Sequence, residues 1–279
     1  MSLQPLGFRR MVLGLHSVAA PNASELAVEF ASLFDLELLG LFIDDLALRH
    51  LSAMPTARAL STAGGFWSSL ESFQSAVGVN SAAEKTKRRF AEASHRLARR
   101  RFEVVRAATA QALASVSRSD DVVVIVPPAA ASDRASEPFV SLLAAAFASD
   151  AAVLLAPPRL KPASGAVVAI AAASHDQSID AAMAIAATTG ERLAIIDIRE
   201  TAGGAIRLEL RSGLGNSATM QLEKGLLDYA AEAIPHAFRG LAARIVVTSR
   251  GTVRNEVALA LSRAAPVLIL GPQRGTGPK

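Results

Sequence analysis

Serine, histidine and aspartate occur together at one point of the chain, as Ser174, His175 and Asp176, and a similar pair, His16 and Ser17, lies near the amino terminus. These side chains are the groups of nucleophilic catalysis, but adjacency in sequence does not by itself form a catalytic triad. Ser174 also occupies the position of a helix cap, and the G-x-S-x-G turn that exposes a serine nucleophile is absent from the sequence. We therefore expect that the protein is not an enzyme.

A glycine-rich run over residues 213–218, GLGNSA, fits the dinucleotide-binding pattern G-x-G-x-x-[G/A]. The run is predicted to follow a strand and to open a helix, as that pattern requires. It follows the third strand of its half rather than the first, however, and the next predicted strand ends at Thr248 and Ser249 instead of at an acidic residue. We therefore do not expect a dinucleotide site here.

Composition excludes several other kinds of chemistry. The 279 residues include no cysteine, so disulfides, thiolate metal ligands and cysteine nucleophiles cannot occur. The remaining histidines, His50, His95 and His236, lack the spacing of metal ligands. Hydrophobic residues make up 51% of the chain and aromatic residues only 5%, which suits two buried cores and disfavours both disorder and base stacking.

Positive charge is concentrated in residues 82–106, where nine basic and three acidic residues give +6, against +4 for the whole chain. An apolar residue recurs every seven positions in this segment, at Ala83, Phe90 and Leu97. The pattern predicts a helix over residues 81–100 that lies on a sheet. The basic segment from Lys85 to Arg106 is either a solvated face or a docking surface for an acidic partner, anionic lipid or RNA. Since aromatic residues are not interleaved as in a nucleic-acid site, we do not expect nucleic-acid binding.

Apolar runs alternate with helical patterns, and the same order occurs twice. The first half is predicted to contain strands over residues 11–15, 37–43, 102–106, 122–126 and 151–156. The second half is predicted to contain strands over residues 166–172, 192–198, 205–211, 244–248 and 266–270, with a long helix over residues 217–241. We predict an α/β protein with two tandem Rossmann-like domains, residues 1–158 and 164–279, each a mostly parallel five-stranded sheet flanked by helices.

The carboxy-terminal part of the chain carries the most specific sequence pattern. Residues 243–251, ARIVVTSRG, form a predicted strand that ends in Ser-Arg-Gly, and residues 265–270, APVLIL, form the last strand after a helix. This pattern resembles the penultimate and last strands of the universal stress protein family, and weaker copies occur at residues 121–126 and 151–155. The resemblance implies a cytoplasmic, tandem universal stress protein with a role in the stress response.

The glycine loop that holds ATP in this family is incomplete in the sequence. Family members that bind ATP carry G-x2-G-x9-G-[S/T] after the penultimate strand, but only fifteen positions separate Gly251 from Pro266. In the first half Pro127 and Pro128 occupy the equivalent place, and proline has no N–H to offer a phosphate. The resemblance therefore implies a protein that uses ATP poorly or not at all.

The family also places an aspartate at the end of the first strand, where it contacts the nucleotide. His16 lies near that position in the first half, and Ala173 or Ser174 in the second. We expect the second half to be the better place for a ligand, at a reduced site formed by Ser174, Ser249, Arg250, Gly251 and Thr252. No cofactor is expected, with ATP or another adenine nucleotide as the alternative.

In this family the last strands of two domains commonly pair. We therefore predict that residues 151–156 and 266–270 face each other, so that the chain forms its own pseudo-dimer and two edge strands are protected. The irregular insertion over residues 46–80 is predicted to be a flap over the sheet edge or an interaction surface. Residues 138–158 have the length of a membrane span, but Asp150 and the prolines favour helix, turn and strand.

Together these patterns predict a non-catalytic regulatory or binding protein. It would act through protein contacts, including self-association, or by sensing a small ligand. An adenine-nucleotide-binding protein that uses the reduced site in the second half is the alternative.

Overall fold

The computed structural model describes residues 7–15, 22–44, 58–60, 67–69, 76–128, 134–157, 165–173, 175–200, 206–212, 217–222 and 242–272. The first half contains β1 (Arg10–Leu15), α1 (Ala23–Phe34), β2 (Glu37–Asp44), β3 (Arg58–Leu60), β4 (Trp67–Ser69), α2 (Ala76–Ala93), β5 (Arg100–Arg106), α3 (Thr109–Val116), β6 (Asp121–Ile125), α4 (Glu137–Ala148) and β7 (Ala152–Leu155). The second half contains β8 (Ala166–Ala171), α5 (Gln177–Thr189), β9 (Leu193–Glu200), β10 (Ile206–Ser212), β11 (Ser217–Leu222), β12 (Ala243–Ser249), α6 (Asn255–Leu261) and β13 (Val267–Leu270). None of the helices described is both long enough and apolar enough to cross a bilayer.

Eleven of the described strands form one continuous sheet, in the order β11-β10-β9-β8-β12-β13-β7-β6-β1-β2-β5. Within the first half every neighbouring pair is parallel, with β1 between β6 and β2. In the second half β8 lies between β9 and β12 in the same way, and β13 follows β12 in parallel. This arrangement confirms the predicted α/β class and the mostly parallel sheet.

Helices cover both faces of the sheet, because its central strands are apolar on both sides. All five residues of β6 are buried, as are all six of β8. One face packs against apolar residues of α1, α2 and α5, and the other against those of α3, α4 and α6. Parallel strands joined by helices require this three-layer packing, since each crossover returns over one face.

The predicted helix over residues 217–241 is wrong at its start, because residues 217–222 form strand β11 antiparallel to β10. The register pairs apolar with apolar, as in Leu208 with Met220, and polar with polar, as in Glu209 with Thr219. Met220 fits a helical stripe as well as it fits this alternation, which is why the period was misread. The second half therefore contributes six strands instead of five; residues 223–241 lie outside the described residues.

The predicted basic helix also differs from the observed one in its bounds. Helix α2 ends at Ala93 and not at residue 100, and β5 already begins at Arg100. The guanidinium of Arg100 accounts for this end, since its Nη1 donates to the carbonyls of Ser94, His95 and Leu97 at 2.9, 2.8 and 2.9 Å. Of the predicted insertion over residues 46–80, the described parts are the β3–β4 hairpin and the first residues of α2.

A buried ion pair joins β1 to β6 at the amino-terminal ends of these strands. Arg10 donates from Nε and Nη2 to the two carboxylate oxygens of Asp121, at 3.0 and 2.6 Å. The Asp121 side chain is only 2% exposed, and its hydrogen bond raises the pKa of Arg10. The pair therefore fixes the register of the two central strands of the first half.

The two halves meet at the β7–β13 pair, as predicted from residues 151–156 and 266–270. The strands are antiparallel, with Leu154 opposite Leu268 at the centre. Gly271, just after β13, lies against the loop that precedes β7. A Cβ at Gly271 would be 2.5 Å from the carbonyl oxygen of Asp150 in that loop. This close approach explains why glycine follows the last strand. We call the β7–β13 pair and its flanking loops the seam.

Candidate functional site

The second half places its predicted ligand residues at the carboxyl edge of two neighbouring parallel strands. Ile170 of β8 pairs with Thr248 of β12, so the segments after both strands leave the sheet side by side. In open α/β sheets ligands bind at this edge. The segment after β12 supplies residues 249–252, and the segment after β8 leads into α5. We call this place the β8–β12 corner.

Asp176 is the centre of the corner, although it was not among the predicted ligand residues. Its carboxylate accepts from the backbone N–H of Ser178 at 2.9 Å and from that of Ala172 at 3.2 Å. The hydroxyl of Ser249 also donates to it, and the hydroxyl of Thr252 lies 3.4 Å from its second oxygen. Two of the predicted residues, Ser249 and Thr252, therefore converge on one carboxylate.

The cap of α5 was predicted two residues too early. Asp176, not Ser174, occupies the N-cap, because α5 begins at Gln177 and the Asp176 side chain accepts from Ser178. Ser174 itself lies outside the described residues, and His175 beside it is exposed. The signal for this cap was present in the sequence, since aspartate is as good an N-cap as serine.

Asp176 remains ionised over a wide pH range. Burial by itself raises the pKa of this carboxyl, but the hydrogen bonds from Ser249 and from the backbone of Ser178 and Ala172 outweigh it, so the pKa lies below its usual value. Hydrogen bonds to the charged form lower a pKa in this way because protonation would break them. The corner therefore carries a negative charge at the carboxyl edge of β8 and β12, the edge at which open α/β sheets bind ligands.

Gly251 turns the chain away from β12. Its φ of +88° lies in the left-handed region that glycine adopts without a steric cost, and a Cβ there would meet nothing within 4 Å. The turn is closed by a hydrogen bond from the backbone N–H of Thr252 to the carbonyl of Ser249, at 3.1 Å. Only residues 252–254 separate Gly251 from the first residue of α6.

Arg250 points away from Asp176 and crosses the seam. Its Nη1 donates to the carbonyl of Ser149, and its Nη2 donates to that of Ala151 at 2.8 Å. Burial lowers the pKa of Arg250, and the nearby charge of Asp150 opposes this effect. Because both terminal nitrogens are bound to the backbone of the first half, this guanidinium holds the two halves together.

The equivalent corner of the first half has a different chemistry. The chain after β6 continues as buried Val126 and Pro127, followed by Pro128, whose carbonyl accepts from Arg134 at 2.9 Å. At the same edge of the sheet, the buried carboxylate of Asp44 at the end of β2 lies 3.4 Å from the guanidinium of Arg106 at the end of the neighbouring strand β5. His16 lies outside the described residues, so its predicted position at this corner stays a prediction.

Other predicted and excluded sites can be placed as well. The last two residues of the glycine-rich run, Ser217 and Ala218, are the first two of strand β11, so the run does not open a helix as a dinucleotide site requires. Among the described residues, no group of three or more His, Asp and Glu side chains is placed to hold a metal ion.

Comparison with known proteins shows the fold. A universal stress protein from Archaeoglobus fulgidus DSM 4304 is 12% identical to this chain, with a TM-score of 0.52, and the match covers 94% of this chain and 97% of that one. A functionally unknown protein from Pseudomonas aeruginosa PAO1 is also 12% identical, with a TM-score of 0.48 and coverage of 96% and 95%. No protein-family model and no curated protein matches the sequence. At this identity the likeness is one of fold: the protein has a universal stress protein-like α/β fold.

Proposed function

We propose that the protein is a non-catalytic binding protein that acts through contacts with other proteins, and that it does not use ATP. The carboxylate of Asp176 in the β8–β12 corner carries this proposal. It accepts hydrogen bonds from the hydroxyls of Ser249 and Thr252, which are the side chains that a nucleotide at this corner would need. Both hydroxyls are therefore already engaged within the protein.

The charge of Asp176 opposes a phosphate group placed beside it. Two like charges about 4 Å apart repel by about 4 kcal/mol at the effective dielectric constant of a protein surface. That energy corresponds to roughly a thousandfold loss of affinity. A phosphate group next to this carboxylate would need a strong compensating cation, but Arg250 is bound to the carbonyls of Ser149 and Ala151.

The first half supports the same proposal. The chain after β6 carries Pro127 and Pro128, which have no N–H, so a phosphate cannot be held by the backbone at these two positions. The described part of the chain also brings no imidazole to a hydroxyl at either corner, since His175 is exposed to solvent. The described residues of the two corners thus do not form the serine–histidine pair of an acyl-transfer site, and His16, Ser17 and Ser174 lie outside them.

We also propose that residues 1–158 and 164–279 are tandem copies of one domain that form a pseudo-dimer. The antiparallel β7–β13 pair supports this proposal, because a two-fold axis relates two edge strands in that way. The matching strand orders β7-β6-β1-β2 and β13-β12-β8-β9 support it as well.

Adenine-nucleotide binding at a reduced site is the second candidate. One observation favours it: Gly251 is exposed and has open space above it. A ligand there would have to displace Ser249 and Thr252 from Asp176.

Thermal unfolding with and without ligands separates the two candidates. We expect no change in Tm of the full chain with 1 mM ATP, AMP, cyclic nucleotides or NAD, each with Mg²⁺, and no release of phosphate from ATP. A ligand present at a hundred times its Kd would stabilise the folded state by about 2.7 kcal/mol, which raises Tm by roughly 5–10 °C for a chain of this size. Such a rise with any adenine nucleotide would overturn the proposal.

A further inference from the structure

The basic residues of the first half separate into two groups with different roles. Five of the nine between residues 82 and 106 are engaged within the protein. Arg99, Arg101 and Arg106 pair with Asp35, Glu37 and Asp44, Lys87 lies 4.0 Å from Glu84, and Arg100 caps the end of α2. The other four are Lys85, Arg88, Arg89 and Arg96. All four are exposed and make no ion pair within the described residues. We call them the cationic stripe.

The stripe borders a groove on α2 of about 550 Å³. Its lining residues are Ser81, Glu84, Lys85, Arg88, Arg89 and Glu92. These positions recur at three- and four-residue intervals, so they share one side of the helix over about 16 Å of its length. Three of the four cations of the stripe line this groove.

The opposite side of α2 is fixed to the sheet, which keeps the groove in place. Phe90 is 2% exposed and packs against Phe102 of β5, with ring centroids 5.5 Å apart. A Cβ at Gly40 of β2 would be 2.8 Å from the Phe90 ring, so the helix lies directly on this glycine. At 100° per residue Phe90 points away from Arg88, and changes on the groove side leave this packing intact.

The charge pattern of the groove selects one class of partner. Glu84 and Glu92 lie within it, and they would repel a uniformly charged phosphate backbone. The described lining residues include no aromatic side chain for base stacking. Nor do those described residues include a large apolar side chain for insertion into a bilayer, since the apolar side of α2 is buried on the sheet. A peptide with carboxylates at its centre and a basic residue near either end matches both signs of charge.

We propose that the cationic stripe and its groove are the docking surface for an acidic segment of another protein. This inference rests on the proposed function, in which the protein acts through protein contacts, and it names the surface and the chemistry of the partner. Binding is electrostatic, so it weakens as salt shortens the range of the charges.

Fluorescence polarisation of a labelled 20-residue peptide, with Glu and Asp at its centre and a Lys near each end, tests the docking surface on the full chain. We expect saturable binding in 50 mM salt that weakens at least tenfold in 300 mM salt. We expect R88E/R89E to weaken it at least tenfold. The matched control is R192E/R263E, which reverses two exposed arginines of the second half and makes the same change in net charge. Equal Tm values for the two variants and the unmodified protein show that both are folded.

Several results would overturn this inference. An equal loss in both double variants would show that net charge, not the stripe, attracts the peptide. Tighter binding of a 20-nucleotide single-stranded DNA, or of vesicles containing phosphatidylserine, would show a different partner class. Absence of peptide binding would also overturn it, while the proposed function would fall only with a nucleotide-dependent rise in Tm.

Discussion

Replacing Asp176 by asparagine perturbs the β8–β12 corner with almost no change in size. The amide oxygen can still accept from the backbone N–H of Ser178, because asparagine is itself a good N-cap. The amide NH2 replaces the second carboxylate oxygen, however, and it faces the N–H of Ala172 and the hydroxyl of Thr252. The N–H of Ala172 then faces a donor instead of an acceptor, whereas the hydroxyl of Thr252 can turn to accept from the amide.

The size of the effect follows from these hydrogen bonds. A hydrogen bond to a charged group contributes about 1.5–3 kcal/mol, and a neutral one about 1 kcal/mol. Because Asp176 is partly exposed, solvent screens its charge and the lower values apply. We expect D176N to lower the free energy of unfolding by about 1–2 kcal/mol at pH 7. This loss corresponds to a fall in Tm of roughly 2–8 °C.

Urea unfolding of both proteins between pH 7 and pH 3 gives the required comparison. The folded-state pKa of Asp176 is lowered, so its contribution to stability is fully present above the unfolded-state pKa of 3.8. It is lost as the pH falls through the folded-state value. The difference between the unmodified protein and D176N should therefore be constant near neutrality and shrink below about pH 4.

D180N is the control, because Asp180 lies in the first turn of the same helix and is exposed. It should change stability by less than about 1 kcal/mol, the usual size of a helix-dipole effect. A D176N protein as stable as the unmodified one at pH 7, or a difference that persists unchanged at pH 3, would refute the assignment of Asp176 as the ionised centre of the corner.

Two further predictions concern the fold that carries the corner. R250M removes the donors to Ser149 and Ala151 across the seam and should lower the free energy of unfolding in urea by about 2–3 kcal/mol. R263M on the surface should lower it by less than about 0.5 kcal/mol. Equal values would show that the guanidinium does not hold the seam. D121N leaves Arg10 with half of its carboxylate contacts and should cost about 3 kcal/mol, the lower end for one partner of a buried pair. The exposed pair of Asp120 with Arg9 provides the comparison, and it should contribute less than about 1 kcal/mol to stability. A loss from D120N as large as that from D121N would contradict the burial argument.

The order of the elements could be predicted from the sequence because it depends on local patterns. Runs of branched residues such as 122–126 are typical of buried strands, and the alternation of strands with helices favours parallel pairing. The β7–β13 pairing was predicted from the family resemblance. Strand β10 was predicted over residues 205–211, but β11 was missed because Met220 satisfies two periods at once, and only its pairing partner Leu208 decides between them.

The candidate site was harder to predict than the fold. Ser249 and Thr252 were identified, but their partner Asp176 lies 73 and 76 residues away in sequence. Arg250 was expected to face a ligand, whereas its partners Ser149 and Ala151 lie in the other half of the chain. Such contacts follow from the packing of the two halves, and no local pattern encodes them.

The continuous sheet also sets the distance and the relative orientation of its two ends. Ten steps of about 4.8 Å separate the edge strand β5 from the edge strand β11, so they lie about 48 Å apart along the ribbon. Each step adds a twist of about 20°, which accumulates to roughly 200° over the whole ribbon. The two edge strands of the described sheet therefore face different directions, and a partner bound at α2, beside β5, would lie far from β10 and β11. The seam joins the two halves into one twisted sheet.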